Sequence, residues 1–264
     1  MKRHPAFFTL LSVLGLVILT NFTSSLHAAD EPATAADLAS RMNAIRSDGT
    51  SFARLRMEIN GGGAIQIQTK ERHTQSGSDA VYQILFPKER KGESVLLRKS
   101  ASGATSGSLF VPPETLTQLS AAQMKNGLFG SDLAYEDVIE NFFAWSTQSL
   151  VGTAEIDRTA CQILESKPGN SDRSSYASVR TWIDPRRMVP LRVEKYNASG
   201  TLLLRIETKD VAKDDRGHYL PASLTITRAG SGGTMIQGSR IRHGVPLTDA
   251  DFSPAGIQTL TTPK

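Results

Sequence analysis

The side chains beyond residue 29 best suited to chemistry are three of the five histidines, several grouped carboxylates, one cysteine and one serine in a glycine-flanked turn. Gly103-Ala-Thr-Ser-Gly107 places Ser106 one position too late for a Gly-x-Ser-x-Gly nucleophile elbow, and small turn-forming residues surround it; hydrolysis by that route is disfavoured. His73, His218 and His243 each stand near a turn or strand end. No His-x-x-x-His or Cys-His spacing presents two of them as zinc ligands, so they read as surface histidines. Asp210, Asp214 and Asp215, and separately Asp249 and Asp251, offer hard oxygen donors. Neither group has the loop length and terminal glutamate of a calcium hand, and turn formation or capping accounts for both. Glu136 and Asp137 are adjacent, so on a helix they point about 100° apart and cannot act as a facing acid/base pair; negative charge at a helix N-terminus accounts for them. Gly61-Gly-Gly63 and Gly230-Ser-Gly-Gly233 lack the lysine of a phosphate loop and read as hairpin turns. Cys161, in Ala160-Cys-Gln-Ile-Leu164, reads as a small buried strand residue. These patterns supply no catalytic residue, no metal site and no cofactor site.

The elements around these residues are mostly strands. Leu38, Met42 and Ile45 recur at helical spacing from Thr34 until Asp48-Gly49, which predicts a short amphipathic helix. Leu55, Met57 and Ile59 alternate with charged residues, and Ile65 and Ile67 with glutamines, as in a hairpin with one buried face. Strand character continues at 81–86, 94–98 and 108–111, then at 161–164, 178–183, 191–196, 202–208, 219–227 and 234–242. The segment 114–125 reads as an irregular helix or loop, and 135–146 as a helix with Ser131 or Asp132 as N-cap and an unusually wide apolar face. The pattern predicts roughly ten or eleven antiparallel strands in a meander around a helical insertion. Without βαβ alternation, a parallel sheet is not expected.

Lys2, Arg3 and His4 precede an apolar run from Ala6 to Thr20, with Ala28 and Ala29 behind it. This is the build of a secretory signal peptide, expected over 1–29 with cleavage after Ala28 or Ala29. The run of about 15 residues is shorter than the roughly 20 a spanning helix requires. The expected mature chain, 30–264, is one domain in the periplasm, with 28 basic against 26 acidic residues. A net charge near +2 with scattered arginines, together with export, argues against nucleic acid and permits transient contact with anionic lipid. One cysteine cannot form an internal disulfide, so stability must come from burial. The wide apolar face at Phe142, Phe143 and Trp145 has two readings: it completes a core, or it lies across an apolar hollow left by a strongly curved, unclosed sheet.

Six stretches occur together in order: Phe86-Pro-Lys-Glu-Arg-Lys-Gly92, Leu109-Phe-Val-Pro-Pro113, Phe129-Gly-Ser-Asp-Leu-Ala-Tyr-Glu-Asp137, Trp182-Ile-Asp-Pro185, Pro190-Leu-Arg-Val-Glu-Lys-Tyr196 and Tyr219-Leu-Pro221. In this arrangement the chain resembles the LolA-like outer-membrane lipoprotein-sorting protein family, from about residue 34 to Leu260. The resemblance implies a mainly β fold with some helix, an incomplete, half-open antiparallel β-barrel covered by a helical lid. It implies a periplasmic carrier that holds a lipid or acylated lipoprotein between inner and outer membranes. The partners implied are acyl chains and, because many members look like accessory proteins to such exporters, an inner-membrane exporter of the resistance-nodulation-division type. A sensor or regulatory module of the same fold is the alternative, and an enzyme acting on envelope lipids a third reading. On the carrier reading, the 34–47 and 135–146 helices form the lid. The lining is expected from Leu55, Met57, Ile59, Ile65, Ile67, Tyr82, Ile84, Phe86, Phe142, Phe143 and Trp145.

Overall fold

The computed structural model describes residues 34–46, 49–170, 172, 174–238 and 241–263, all within one compact unit, Ala33–Lys264. The expected leader lies outside the described residues. Among them, no helix is long and apolar enough to cross a membrane.

One helix opens the unit, α1 (Ala35–Arg46). Thr34 and Asp37 close its N-terminus reciprocally: the Asp37 N–H donates to Thr34 Oγ1 at 3.1 Å and the Thr34 N–H to Asp37 Oδ2 at 3.4 Å. Six strands follow: β1 (Thr50–Ile59), β2 (Gly63–Thr74), β3 (Gly77–Phe86), β4 (Ser94–Ser100), β5 (Thr105–Val111) and β6 (Thr115–Gln118). A largely irregular segment containing α2 (Tyr135–Ile139) leads to β7 (Thr147–Ile156), β8 (Thr159–Lys167), β9 (Ser178–Asp184), β10 (Val189–Tyr196), β11 (Leu202–Lys213), β12 (Tyr219–Arg228), β13 (Thr234–Gly238) and β14 (Arg242–His243). The strands form a single 14-stranded antiparallel sheet in the order β6-β5-β4-β3-β2-β1-β13-β12-β11-β10-β9-β8-β7, with β14 pairing on β1.

Two meanders thus meet at the β1–β13 seam, and the sheet is not closed: β6 and β7 are its two edges. The chain must pass from one edge to the other between residues 119 and 146, and it does so across the inner face. Along β3, Ala80, Tyr82 and Ile84 face inward against Met124, Leu128, Phe129, Tyr135 and Ile139, while Val81 faces outward. On the other half, Leu164, Val179, Ile183 and Val193 face inward against Leu38, Met42, Phe142, Phe143 and Trp145. The half-open barrel covered by helical segments is therefore the observed architecture.

Four details differ from the sequence expectation. The strand count is 14 rather than ten or eleven. The segment read as helix or loop contains β6, and β7 carried no strand signal because an edge strand exposed on both faces shows little apolar alternation. The expected 135–146 helix is two pieces, α2 and a 3₁₀ turn at Phe142–Ala144, separated where Glu140 turns extended at ψ 137°. The break lets Tyr135 and Ile139 pack into one apolar cluster and Phe142, Phe143 and Trp145 into another, which the single face of one straight helix would not reach. The α2 N-cap is Ala134 rather than Ser131 or Asp132, with the Asp137 carboxylate accepting the Ala134 N–H at 2.8 Å.

Gln68 of β2, expected on a solvated face, and Gln83 of β3 are buried beneath the C-terminal run 245–263, while Gln66 is exposed. Gln83 Nε2 donates to the carbonyls of Ile257 and Thr259, Gln68 Nε2 to that of Thr261, and the buried Lys70 ammonium to Asp251 at 2.9 Å. Phe252 and Ile257 pack on Val81, Leu96 and Phe110. The central strands are consequently covered on both faces, and the polar side chains there satisfy a tail that lacks regular backbone partners.

Candidate functional site

Among the described residues, much of the inner face is filled by the chain itself, and an apolar hollow of about 270 Å³ remains. Met42 and Ile45 of α1 and Phe142 and Phe143 of the crossing segment form one wall; Val193, Lys195, Ile206, Thr208, Pro221 and Leu224 of β10, β11 and β12 form the other. It runs along β10 from Lys195 towards Pro190, at the end of the barrel where β1 begins and β2 finishes. This end is called the upper end here, and the opposite one the lower. Its volume falls just below the roughly 300–1,000 Å³ of ordinary ligand pockets. A chain-sized guest would therefore need α1 or the 142–144 turn to give way.

The lower end is locked. Lys195, only 1% exposed, reaches Asp137 Oδ1 at 2.8 Å and Glu140 Oε2 at 3.2 Å. Asp137 also accepts the Tyr176 hydroxyl at 2.7 Å and Arg228 Nη2 at 2.6 Å. Arg228 Nε donates to the Asp132 carbonyl at 2.9 Å, and Thr234 Oγ1 donates to the Asp132 carboxylate at 2.7 Å. Strands β10, β12 and β13 thereby hold the 132–140 segment through charge-assisted bonds in a dry environment, where such bonds are strongest. Burial opposes the Lys195 charge, but Asp137 and then Glu140 outweigh it and hold the ammonium above its ordinary range. Burial likewise pushes the Asp137 carboxyl up, yet Lys195 and Tyr176 reverse the balance and leave it below the usual carboxylate value. The Tyr176 phenol is pushed up to about 12 by burial and by Asp137, so it stays a donor at neutral pH. Burial raises Glu136, which accepts from Ser175 at 3.0 Å.

The sequence-predicted lining separates into three groups. Met57, Ile65, Ile67, Tyr82 and Ile84 are buried on the inner face, with Leu55 and Ile59 packed beside them, all against the crossing segment. Phe142 and Phe143 border the apolar hollow, and Trp145 packs in the same cluster, edge-on to Phe142 at 6.2 Å. Phe86 is 54% exposed at the end of β3, outside both clusters. The hollow's far wall, Val193, Ile206, Pro221 and Leu224, was missed, although Pro190-Leu-Arg-Val-Glu-Lys-Tyr196 and Tyr219-Leu-Pro221 carry two of its strands. The grouped aspartates of the Gly130-to-Asp137 stretch do more than favour a helix start: Asp132 and Asp137 are the anchors of the lock. A second, larger hollow of about 720 Å³ lies at the upper end between the β2–β3 and β4–β5 turns and α1, lined by polar groups such as Asn43, Ser78, Lys99, Asn141 and Asp172.

A family model described as "Uncharacterized protein" matches residues 77–259. The chain belongs to that family. No curated protein matches it. Among solved structures it is similar to a DUF1329 family protein from Desulfovibrio piger, with a TM-score of 0.75 and 21% identity over 83% of this chain and 95% of that one. It is similar to a putative outer membrane lipoprotein-sorting protein domain from Vibrio parahaemolyticus, at 0.74 and 20% over 85% and 98%. A LolA superfamily protein from Nitrosomonas europaea aligns at 0.63 and 17% over 84% and 98%. These likenesses establish the fold as LolA-like, in agreement with the resemblance carried by the motifs.

Proposed function

We propose that the chain is a periplasmic carrier that takes up a lipid or the acyl part of a lipoprotein in the apolar hollow and releases it towards the outer membrane. The observation that supports this most is the hollow's placement. It is bounded by side chains that can separate, at the upper end, while the lower end is closed by a buried ionic lock. In this reading α1 is the principal lid. It rests on Phe142, Phe143 and Trp145 through Leu38, Ala39 and Met42, and Asn141 Nδ2 donates to Asn43 Oδ1 at 2.6 Å. The 142–145 turn is held more firmly, because Gln148 Nε2 donates to the carbonyls of Phe142 at 3.0 Å and Trp145 at 2.9 Å. Each buried methylene contributes about 0.8 kcal/mol, so an acyl chain that replaces the α1 contacts offsets the loss of that apolar packing. No covalent step is required. An inner-membrane exporter of the resistance-nodulation-division type would supply the cargo, as the family resemblance implies, with transient membrane contact at hand-over.

The test uses Trp145, which is buried beside the hollow, in a Trp182→Phe background that leaves it as the sole tryptophan. Lipids brominated along the acyl chain should quench its fluorescence in a saturable way, and the same lipids without bromine should compete. Absence of quenching at concentrations that load other lipid carriers would reject the proposal.

A further inference from the structure

The β11–β12 turn and β14 bring together four side chains that neither the apolar hollow nor the ionic lock uses. Asp214 is buried, and its Oδ1 accepts the backbone N–H groups of Arg216 at 2.9 Å and His218 at 2.8 Å. This fixes the carboxylate and leaves Oδ2 facing two imidazoles, His218 Nδ1 at 3.4 Å and His243 Nδ1 at 3.7 Å. Asp215 Oδ1 lies 2.7 Å from His243 Nδ1, and its Oδ2 accepts the His243 N–H at 2.8 Å. Ligand atoms of Asp214, Asp215 and His243 all fall within 4.8 Å of one another.

A tetrahedral zinc ion with bonds of about 2.0–2.1 Å sets its donor atoms roughly 3.3 Å apart. The separations around Asp214 Oδ2 are long for hydrogen bonds but close to that edge length, whereas Asp215 Oδ1 and His243 Nδ1, hydrogen-bonded at 2.7 Å, would have to part by about 0.6 Å to hold an ion. We propose that Asp214, Asp215 and His243 form a binding site for a divalent transition-metal ion of the zinc type, with solvent completing the coordination. Two carboxylates balance the charge of such an ion, and the mixture of imidazole and carboxylate suits zinc or cobalt. Calcium would require six or more oxygens. The two turn N–H groups that hold Asp214 supply the outer support such ligands need. An ion here would join residues 29 positions apart, Asp214 and His243. It would tie β14, the start of the C-terminal run, to the β11–β12 turn, independently of the lipid reading.

The chain, purified without a histidine tag and stripped with EDTA, is titrated with Co²⁺ and then Zn²⁺. One equivalent of Co²⁺ should produce the intense visible bands of a tetrahedral site, and Zn²⁺ should abolish them. His243→Ala should weaken binding at least about 100-fold and Asp215→Asn about tenfold, whereas His73→Ala should leave it unchanged. Circular dichroism checks folding; if His243→Ala misfolds, Asp215→Asn decides. Binding without visible bands, no binding at one equivalent, or full affinity in the deciding variant would overturn the assignment.

Discussion

Lys195→Met is the most informative perturbation of the lower end. The wild-type ammonium is buried between Asp137 and Glu140, 2.8 and 3.2 Å away. Methionine keeps the packing against the Tyr176 and Phe142 rings, whose centroids lie 4.6 and 5.7 Å from Nζ, but removes the charge. Asp137 would retain Arg228, Tyr176 and the Ala134 N–H, whereas buried Glu140 would lose the cation beside it. Breaking one partner out of a buried pair costs about 3–5 kcal/mol. For a unit of this size each kcal/mol lowers the melting midpoint by about 2–4 °C, so a fall of about 6–20 °C is expected. Urea unfolding followed by tryptophan fluorescence gives the free energy directly. Adding Glu140→Gln to Lys195→Met should recover at least about 1 kcal/mol, because it removes the stranded charge. A loss under about 1 kcal/mol in the single variant would refute the idea that this network holds the crossing segment.

Three further outcomes follow from the same structure. Asp137, Asp184 and Asp251 are held below their ordinary value of 3.8; burial raises each, and neighbouring cations and N–H donors more than reverse it. Their stabilisation should be complete above about pH 5 and fall away as the pH drops through and below 4, measurable as a falling urea midpoint. Leu224→Trp, on the wall of the hollow opposite α1, should reduce uptake of an acyl probe by at least about tenfold while changing stability by less than about 2 kcal/mol. Phe252→Ala removes a fully buried ring from the outer face and should cost about 3–5 kcal/mol, with acyl binding per folded molecule unaltered.

Alternation was most legible where one face of a strand meets a dry neighbour. Met57, Ile65 and Ile67 could be placed on a buried sheet face because charged residues or glutamines stand between the apolar positions, whereas Tyr82 and Ile84 stand in the nearly continuous apolar run 81–86, which does not tell one face from the other. What fills the space opposite was not legible, since periodicity records that a face is dry and not whether protein or guest dries it. That is why these residues, expected to line a hollow, pack against Leu128, Phe129 and Tyr135 instead. The break at Glu140 has no local signal: no proline or glycine stands there, and the kink serves Lys195, 55 residues further on. The partners of the carboxylates were not legible for a related reason. Asp137 meets Arg228, and Asp215 meets His243, only through strand pairings that sequence spacing does not encode. Motif resemblance carried more of the fold than any single pattern, because it samples residues on both sides of those pairings.

The carrier reading is tested most directly by native mass spectrometry of the protein extracted gently from its host envelope. A single lipid adduct, released on collisional activation and missing from Leu224→Trp, is the expected result. Repeated recovery of the bare polypeptide mass, from protein that also refuses lipid analogues added in vitro, would contradict it.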